Sequence, residues 1–344
     1  MSNKDALRAL QNAKNKLKKK MEINDTAEAS PLEVVSTGSA IIDDATGVGG
    51  IATGRMYEIY GLESSGKSSI CYSIVAQFQK AFPDRIVAYI DAEHAVSLSY
   101  AKQFGIDLDN LDFQQPTTAE ECLEIIETYA QTGAVSLIIL DSIAAMLTKA
   151  QLEKGIDEKT MGSLAGVLSP GLTRIKTTLA NSNTTLICVN QVRSNIGMFV
   201  SGETTPGGHA VRFYSSMRIR VAKKDVITEG DKPVGQNLSI VFKKNKLGTP
   251  FQTVETKLLF GKGFDFHAEY FDIAVAKGII TRGGAWYNWV DSKGETIKFQ
   301  GKPNCVFHLK NHEEELAYIQ KLIKESGGIV KGELPPEEQN EDEE

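Results

Sequence analysis

The chain has 344 residues, of which 41% are hydrophobic and 24% are charged, and its formal net charge is −6. This length is enough for two or three domains, and the hydrophobic content is ample for a globular core. No apolar run reaches the roughly 18 residues that a membrane span needs, and the lysine-rich N-terminus does not resemble a signal peptide. We therefore expect a soluble, cytoplasmic protein that has no membrane partner.

The cysteines and histidines predict neither a disulfide framework nor a zinc site. The four cysteines lie far apart without a C-x-x-C pair, and the five histidines lack the spacing of metal ligands. Acidic residues are concentrated at the C-terminus, where residues 333–344 carry seven of them. The rest of the chain is close to neutral, so a local basic surface is compatible with the composition.

Residues 1–33 form an N-terminal region of distinct composition. Over about the first 22 residues, leucines and a methionine at helical spacing alternate with lysines, and a polar segment with the composition of a linker follows. Two interpretations remain open. The region is either a solvated surface helix, or an arm that packs its apolar stripe on another subunit or on its own core.

Short apolar runs that alternate with helix-length segments predict an α/β core over residues 34–262. Continuously apolar runs suit strands that are buried on both faces of a parallel sheet, and three such runs are residues 86–91, 137–141 and 185–190. Runs after residue 217 alternate polar with apolar residues, as half-buried antiparallel strands do. The fold class that we expect is therefore α/β, with a mixed, mostly parallel, twisted sheet.

The C-terminal part of the sequence has a different character. Short helices and glycine-containing turns predict a small α+β domain over residues 263–330. The acidic residues that follow, 331–344, include two consecutive prolines and have the composition of a disordered tail.

Residues 61–69 have the sequence GLESSGKSS, which fits the phosphate-binding pattern G-x-x-x-x-G-K-[ST] between a strand-like and a helix-like segment. Gly61 and Gly66 allow successive backbone N–H groups to point at one anion, and the helix N-terminus adds a positive potential. Lys67 is suited to reach the outer phosphates, and the Ser68 hydroxyl to ligate Mg²⁺. The residues expected to bind the nucleotide in this loop are Gly61, Glu63, Ser64, Ser65, Gly66, Lys67, Ser68 and Ser69.

Polar residues follow three of the predicted strands. Ligands of open α/β sheets bind at the carboxyl ends of the strands, which makes these residues candidates for the chemistry. We expect Asp141 to hold Mg²⁺ through water, next to Ser68. Glu93 is placed to orient or deprotonate a water molecule, although Asp91 in the same segment competes for this role. The Gln191 amide is placed to sense a γ-phosphate and to pass the signal to the segment that follows.

Six motifs occur in the order found in bacterial RecA recombinases, and the chain resembles that family from about residue 34 to residue 310. They are GLESSGKS (61–68), DAEHA (91–95), LDSIAA (140–145), VNQVR (189–193), TTPGG (204–208) and KNK (244–246). The segment GAWY (284–287) near the C-terminus is similar as well. Such an ordered series is far more specific than a phosphate loop alone.

The resemblance implies that ATP binds between adjacent subunits of a helical filament on single-stranded DNA. Carried over residue by residue, the resemblance implies that Lys67 and Ser68 bind phosphate and Mg²⁺. It also implies that Asp141 binds Mg²⁺. It further implies Glu93 as the catalytic base, Gln191 as the γ-phosphate sensor and Tyr100 as the residue that stacks on adenine. Lys244 and Lys246 would reach the γ-phosphate from the neighbouring subunit.

The resemblance also implies that two loops face the DNA. One lies at about residues 154–162 and the other at about residues 195–208. Glycines there allow backbone N–H groups to approach phosphates, and apolar side chains are able to pack on bases. The residues expected to bind DNA in and around these loops are Met161, Gly162, Ser169, Arg174, Arg193, Ile196, Gly197, Phe199, Gly207, Gly208 and His209.

The sequence departs from the family pattern mainly in these loops. Gly166 stands where the first loop has an arginine, and Arg174 is one position later than the arginine expected in the following helix. Asn195 replaces a lysine and His209 an asparagine, while a shorter second loop leaves Phe199 and Val200 as alternatives for its aromatic tip. Fewer cations near phosphate predict a shallower salt dependence of DNA binding.

The expected function is a single-stranded-DNA-dependent ATPase that forms helical filaments on DNA and catalyses homologous pairing and strand exchange in recombination and DNA repair. Two alternatives remain: a hexameric helicase or motor of the same core fold, and an ATP-switched coating protein with little turnover. The N-terminal arm and the Lys244/Lys246 pair favour an open filament. The acidic tail is either inert or competes with DNA for basic residues such as Lys298, Lys302 and Lys310.

Overall fold

The computed structural model describes residues 32–153, 163–194 and 203–326. Chain contacts divide the molecule into two units, Met1–Glu33 and Val34–Glu344, and the second contains the fold presented below. The predicted N-terminal helix and the acidic tail lie outside the described residues.

Strands and helices alternate through most of the second unit. The strands are β1 (Val34–Val35), β2 (Ile51–Ala52), β3 (Met56–Gly61), β4 (Ile86–Asp91), β5 (Leu111–Gln114), β6 (Val135–Asp141), β7 (Thr185–Gln191), β8 (Arg193–Ser194), β9 (Glu203–Thr204), β10 (Met217–Glu229), β11 (Lys232–Asn245), β12 (Thr253–Leu259), β13 (Gly263–Phe264), β14 (Thr281–Gly283), β15 (Trp286–Val290) and β16 (Thr296–Gln300).

The helices are α1 (Ala40–Ala45), α2 (Lys67–Ala81), α3 (Leu98–Lys102), α4 (Ala119–Thr132), α5 (Lys149–Glu153), α6 (Ser163–Ser182), α7 (His209–Tyr214), α8 (Phe266–Ala276), α9 (Lys302–Asn311) and α10 (Glu313–Glu325), with a short 3-10 helix at Ile143–Ala145. Local signals define several of their ends. The Thr118 side chain accepts a hydrogen bond from the backbone N–H of Glu121, whose carboxylate accepts one in return, and this capping box begins α4.

A nine-stranded sheet with the order β13-β12-β11-β10-β3-β7-β6-β4-β5 forms the centre of the fold. Strands β10, β3, β7, β6, β4 and β5 pair in parallel, whereas β11, β12 and β13 extend the sheet with antiparallel pairs. The predicted mixed, mostly parallel sheet is confirmed.

Helices cover both faces of the parallel part of the sheet. Successive residues of β6 alternate between two cores: Leu137 and Ile139 pack with α2, while Ile138 and Leu140 pack with α4 and α6. Because side chains alternate across a strand, a continuously apolar run serves two cores at once. The prediction that the apolar runs form strands buried on both faces of a parallel sheet is therefore confirmed.

Strands β10 and β11 form a long hairpin whose distal part is exposed. The first residues of β10 pair in parallel with β3, so that Val221 lies beside Gly61, and the other edge of β10 is antiparallel to β11. The sequence predicted only the first five residues of β10, as an antiparallel strand. Beyond Val221 the hairpin loses its apolar alternation because much of it faces solvent.

The C-terminal segment contains a three-stranded sheet, β14-β15-β16, and helices α8, α9 and α10 around a third core. Glu269 of α8 joins this segment to the earlier part of the chain, because its carboxylate accepts hydrogen bonds from the Ser39 hydroxyl at 2.9 Å and from the Thr256 hydroxyl. All four cysteines are buried thiols, as expected for core residues. Among the described residues, no helix combines the length and the apolar character that crossing a bilayer requires.

Candidate nucleotide site

The phosphate loop connects the buried strand β3 to helix α2, in the order that the sequence predicted. A Cβ atom on Gly61 would lie 2.1 Å from the backbone oxygen of Val221. Only glycine therefore fits here, where β10 of the hairpin runs beside the end of β3. Gly66 precedes the first residue of α2, and Ser64 has a left-handed φ of 56°. Backbone N–H groups and the helix N-terminus therefore converge on one side of the loop, as in an anion site.

Lys67 is the first residue of α2 and is only 9% exposed. Its ammonium group donates hydrogen bonds to the backbone oxygens of Leu62 at 2.7 Å and of Gly61 at 3.2 Å. Burial lowers the pKa of the Lys67 ammonium below its usual value, and the nearby Asp141 and Glu93 carboxylates act in the opposite direction. In this arrangement the backbone oxygens of the loop satisfy part of the hydrogen-bonding capacity of the Lys67 ammonium.

Asp141 ends β6 beside the helix that carries Ser68. Its Oδ2 atom accepts hydrogen bonds from the Ser68 hydroxyl at 2.9 Å and from the Tyr89 hydroxyl at 2.7 Å. Burial raises the pKa of the Asp141 carboxyl, and the two hydroxyl donors lower it. The sequence analysis did not identify Tyr89. A tyrosine in a buried strand needs a hydrogen-bond partner for its hydroxyl, however, and so indicates a polar neighbour.

The Ser68 and Asp141 oxygens form a donor set that fits Mg²⁺. Both are hard oxygen ligands, and Mg²⁺ typically takes one or two protein ligands, keeps several waters and binds substrate phosphates. The described residues contain no cluster of three or more His, Cys, Asp and Glu side chains able to hold a metal ion. A two-ligand site that depends on a nucleotide is therefore the kind that this geometry supports.

Glu93 and Asp91, which the sequence left as rivals, differ in their environments. Asp91 is fully buried, and its carboxylate accepts hydrogen bonds from the backbone N–H groups of Ala95 and Val96 and from the Gln115 amide. Through these hydrogen bonds, the Asp91 carboxylate holds the loop that follows β4 in place. Glu93 is exposed, which leaves it able to contact a water molecule and a substrate.

Glu93 is held at the mouth of the site by two polar side chains. The Ser142 hydroxyl donates to its Oε2 atom at 3.2 Å, and the Gln191 amide lies 3.5 Å from its Oε1 atom. The structure thus brings the expected base and the expected sensor together. Ser142 was not singled out from the sequence, where a serine after a strand-terminal aspartate carries no distinctive signal.

A cavity of about 340 Å³ lies over the phosphate loop. Residues 64–69 line one side, and Lys223, Gln236 and Phe260 line the other. The Ser65 hydroxyl oxygen at this cavity is buried and has no hydrogen-bond partner within the described structure. An unsatisfied polar atom beside converging N–H groups fits a polar ligand such as a nucleotide phosphate.

Tyr100 lies next to this cavity and is half-buried. Its hydroxyl accepts a hydrogen bond from the N–H of Gly261, the residue after Phe260, and its ring contacts Phe104 edge-on. The residues Lys223, Gln236 and Phe260 come from the hairpin and the end of β12. The sequence pattern did not predict that these three residues approach a loop more than 150 positions earlier.

Lys244 and Lys246 do not reach the phosphate loop of their own chain. Lys244 faces Arg218 across the hairpin, two strands away from β3, and is offset from Gly61 by about three residues, or about 10 Å, along the strand direction. Its ammonium donates to the backbone oxygens of Arg212 and Phe213 at the end of α7. Within one subunit these lysines therefore contact a helix C-terminus.

The described DNA-binding candidates are dispersed. Ser169 is exposed on α6, and Arg174 of the same helix makes a bidentate pair with Glu127 of α4, with a closest distance of 2.7 Å. Arg193 belongs to the two-residue strand β8, and His209 is the exposed first residue of α7. Met161, Gly162, Ile196, Gly197 and Phe199 lie outside the described residues.

Gly207 and Gly208 have a packing reason to be glycine. Gly207 has a φ of 93°, and a Cβ atom on it would lie 2.9 Å from the Leu168 side chain and 3.0 Å from that of Ile143. A Cβ atom on Gly208 would lie 2.8 Å from the Ala165 side chain. The turn that follows β9 therefore packs closely against α6 and the 3-10 helix.

Family models match nearly the whole chain. The model of the RecA N-terminal domain matches residues 4–265, and that of the RecA C-terminal domain matches residues 268–328. The chain belongs to the RecA family. The chain is 40% identical to Protein RecA of Thermotoga maritima over 312 residues, which cover 90% of this chain and 87% of that relative. It is 41% identical to Protein RecA of Nautilia profundicola over 304 residues, or 88% and 85% of the two chains.

A solved structure gives a more distant comparison. The crystal structure of the RadB recombinase superimposes with a TM-score of 0.50 at 20% identity, over 66% of this chain and 97% of that one, and supports the fold alone. Membership of the RecA family makes the chain a recombinase with strand-exchange function. The helicase and coating-protein alternatives are not favoured.

Proposed function

We propose that this recombinase is a DNA-dependent ATPase that binds ATP and Mg²⁺ at the phosphate loop and assembles into helical filaments on single-stranded DNA. Filaments then capture duplex DNA for homologous pairing in the cytoplasm. The observation that carries the ATPase proposal is the Ser68–Asp141 contact of 2.9 Å beside the buried Lys67. A hydroxyl and an ammonium group at the start of α2, together with the carboxylate at the end of β6, are the set that phosphoryl transfer requires.

Binding of ATP would begin with an exchange of partners at Lys67. Its ammonium would leave the Gly61 and Leu62 oxygens for the outer phosphates, while the loop N–H groups and the Ser65 hydroxyl receive the remaining phosphate oxygens. Mg²⁺, when bound by Ser68 and Asp141, supplies neutralisation of phosphate charge. Because the Ser68 and Asp141 oxygens already lie 2.9 Å apart, the metal ligands need little rearrangement, and the main change is the exchange of partners at Lys67.

Glu93 would orient and deprotonate the attacking water. Ser142 and Gln191 hold its carboxylate at the edge of the site, and Asp91 is engaged elsewhere. Gln191 is able to exchange its long contact with Glu93 for a phosphate oxygen. This exchange would report the presence of the γ-phosphate to the segment after β7.

Assembly would complete the site through Lys244 and Lys246 of a neighbouring subunit. In the single chain these ammonium groups rest on α7 carbonyls, and a phosphate offers a stronger, charge-assisted partner. We assign residues 1–33 to subunit packing, 34–262 to the ATPase core, 263–330 to a small C-terminal domain and 331–344 to an acidic tail. Hydrolysis would then depend on filament formation.

Replacement of the phosphate-loop lysine tests this function. We expect Lys67→Ala to lower phosphate release in the presence of single-stranded DNA by at least about 10²- to 10³-fold and to abolish ATP-dependent filaments in negative-stain images. The matched control is Lys80→Ala, an exposed lysine in the last turn of the same helix, which should behave as the wild type. ATP-dependent filaments formed by Lys67→Ala would contradict the proposal.

A further inference from the structure

A buried ion pair crosses the parallel part of the sheet outside the nucleotide cavity. Glu58 of β3 is fully buried, and the Nε atom of Arg218 donates to its Oε2 atom at 2.5 Å. The Arg218 guanidinium also lies 4.6 Å from the centre of the Tyr60 ring. Burying a charged pair is costly, and the sheet would be at least as stable with apolar residues here. Neither Glu58 nor Arg218 lines the nucleotide cavity, so the pair needs another explanation.

Asn190 is the third member of this group. Its Nδ2 atom donates to Glu58 Oε1 at 3.0 Å and to the backbone oxygen of Pro206 at 3.0 Å, and its Oδ1 atom accepts from the backbone N–H of Gln191 at 3.0 Å. The carboxylate and the carbonyl only accept, and the backbone N–H only donates. The orientation of the amide is therefore determined by its partners, and both of its donors are in use.

The partners of Asn190 belong to parts of the chain with different proposed roles. Gln191 is the candidate γ-phosphate sensor and contacts Glu93. Pro206 immediately precedes Gly207 and Gly208, the described end of the second loop, where close packing against α6 limits independent movement. One fully buried amide thus joins the sensor to the turn that leaves the loop.

We propose that Asn190 is a positioning residue that couples Gln191 to Pro206, with the Glu58–Arg218 pair holding its amide in place. The inference rests on the proposed function, in which Gln191 responds to ATP and the second loop binds DNA. A movement of Gln191 toward a phosphate shifts Asn190. The amide cannot rotate freely, because it would leave the buried Glu58 and Pro206 acceptors unsatisfied, and Pro206 therefore follows.

The same ion pair is linked to the lysines that would serve the neighbouring subunit. Arg218 faces Lys244 across the hairpin. Burial is the main cause that lowers the pKa of Lys244, Lys246 and Arg218 lower it further, and Glu58 acts in the opposite direction. The ion pair thus lies between Asn190, which contacts Glu58, and Lys244, which faces Arg218.

The test measures how strongly ATP and DNA binding depend on each other. For each variant, the Kd for a fluorescent oligo(dT) probe is measured with and without a non-hydrolysable ATP analogue, and the ratio is the coupling factor. Coupling factors of about 5 to 150 are typical of allosteric proteins. We expect Asn190→Asp, which removes both donors, to lower this factor by about tenfold or to unity, while the Kd for the analogue alone changes by less than about threefold.

Two further variants separate coupling from folding. Glu58→Gln combined with Asn190→Asp reverses the donor and the acceptor between these positions, so it should recover thermal stability but not the bond to Pro206, and the coupling factor should stay low. Thr185→Val is the control, because Thr185 is buried on the same strand and its hydroxyl has no hydrogen-bond partner within the described structure. It should keep the wild-type coupling factor.

The possible outcomes distinguish the two proposals. A wild-type coupling factor in Asn190→Asp, or its recovery in the double variant, would overturn the role of Asn190 and leave the proposed function intact. DNA binding by the wild type that does not respond to the ATP analogue would overturn both. Loss of coupling in Asn190→Asp and in the double variant, with Thr185→Val unaffected, would support the inference.

Discussion

Two groups of buried carboxylates in this molecule are held by different kinds of donor. At the nucleotide site, Asp141 accepts hydrogen bonds from the hydroxyls of Ser68 and Tyr89. Near the start of α1, Asp43 accepts from the backbone N–H of Thr37 at 2.7 Å in addition to hydroxyl donors. Burial raises the pKa of Asp43 to about 6.

Glu269 resembles Asp43, because the Ile41 backbone N–H contributes to its hydrogen bonds along with the Ser39 and Thr256 hydroxyls. A hydroxyl rotates and is able to donate or accept, so it releases a carboxylate to an incoming cation at little cost. A backbone N–H is fixed by its element. The comparison teaches that carboxylates held by backbone donors maintain the fold, while Asp141 remains available for a ligand.

The largest expected effect is on the rate of ATP hydrolysis, with no change in stability. We expect Glu93→Gln to lower the rate of DNA-stimulated ATP hydrolysis by about 10²- to 10⁴-fold, because the amide cannot accept a proton from water. The Kd for ATP and the melting temperature should remain those of the wild type, since Glu93 is exposed and its carboxylate makes two hydrogen-bond contacts, of 3.2 and 3.5 Å, within the described residues. Turnover at the wild-type rate would move the role of base to another residue.

The second prediction concerns the fold-maintaining carboxylate Glu269. Burial raises its pKa from 4.5 to about 7, so ionisation is harder in the folded than in the unfolded chain. Stability should therefore fall as the pH rises through the window from about 4.5 to about 7. Relative to Glu269→Gln, the wild type should lose on the order of 3 kcal/mol of unfolding free energy across that window.

Urea unfolding at several pH values measures this difference. Glu255→Gln is the matched control, because Glu255 is exposed on β12 next to Thr256 and should leave the pH dependence unchanged. Parallel pH profiles of the wild type and Glu269→Gln would show that Glu269 ionises normally in the folded protein.

The third prediction applies the same chemical change to both groups. In Asp141→Asn the Ser68 and Tyr89 hydroxyls are able to turn and accept, so stability without nucleotide should be unchanged or higher by about 1 kcal/mol. In Asp91→Asn the backbone N–H groups of Ala95 and Val96 bond different carboxylate oxygens and cannot turn, so the new amide NH2 must face one of them, and stability should fall by about 2 kcal/mol. Denaturant unfolding of both variants checks the contrast, and equal losses would remove the distinction between the two kinds of donor.

The smallest expected effect concerns the exposed Arg174–Glu127 pair. Because Arg174 is 72% exposed, its replacement by alanine should cost only about 0.5 kcal/mol of stability. If Arg174 also contacts a DNA phosphate, the slope of log K against log salt for oligo(dT) binding should become shallower by about one. Glu127→Ala is the control and should reduce stability similarly without making that slope shallower.

Local features of the site were predictable because their chemistry depends on neighbouring residues. The phosphate loop, the strand-terminal Asp141 and Glu93 with its rival Asp91 all follow from short segments. The resemblance to the family added the roles of Tyr100, Lys244 and Lys246, which their own segments do not indicate. Tyr89 and the hairpin residues Lys223 and Gln236 were missed, because nothing in their own segments shows which loop they approach.

The sequence by itself determined the parallel sheet, the phosphate loop and the family, since continuous apolar runs and the glycine–lysine pattern are local in the chain. Tertiary structure decided which polar residues remain available for chemistry. Asp91 and Asp141 both end strands and lie side by side in the sheet. The turn of the loop after Asp91 gives the first its backbone donors, from Ala95 and Val96. The rotatable hydroxyls of the second, Ser68 and Tyr89, come from distant segments that only the folded chain brings to Asp141.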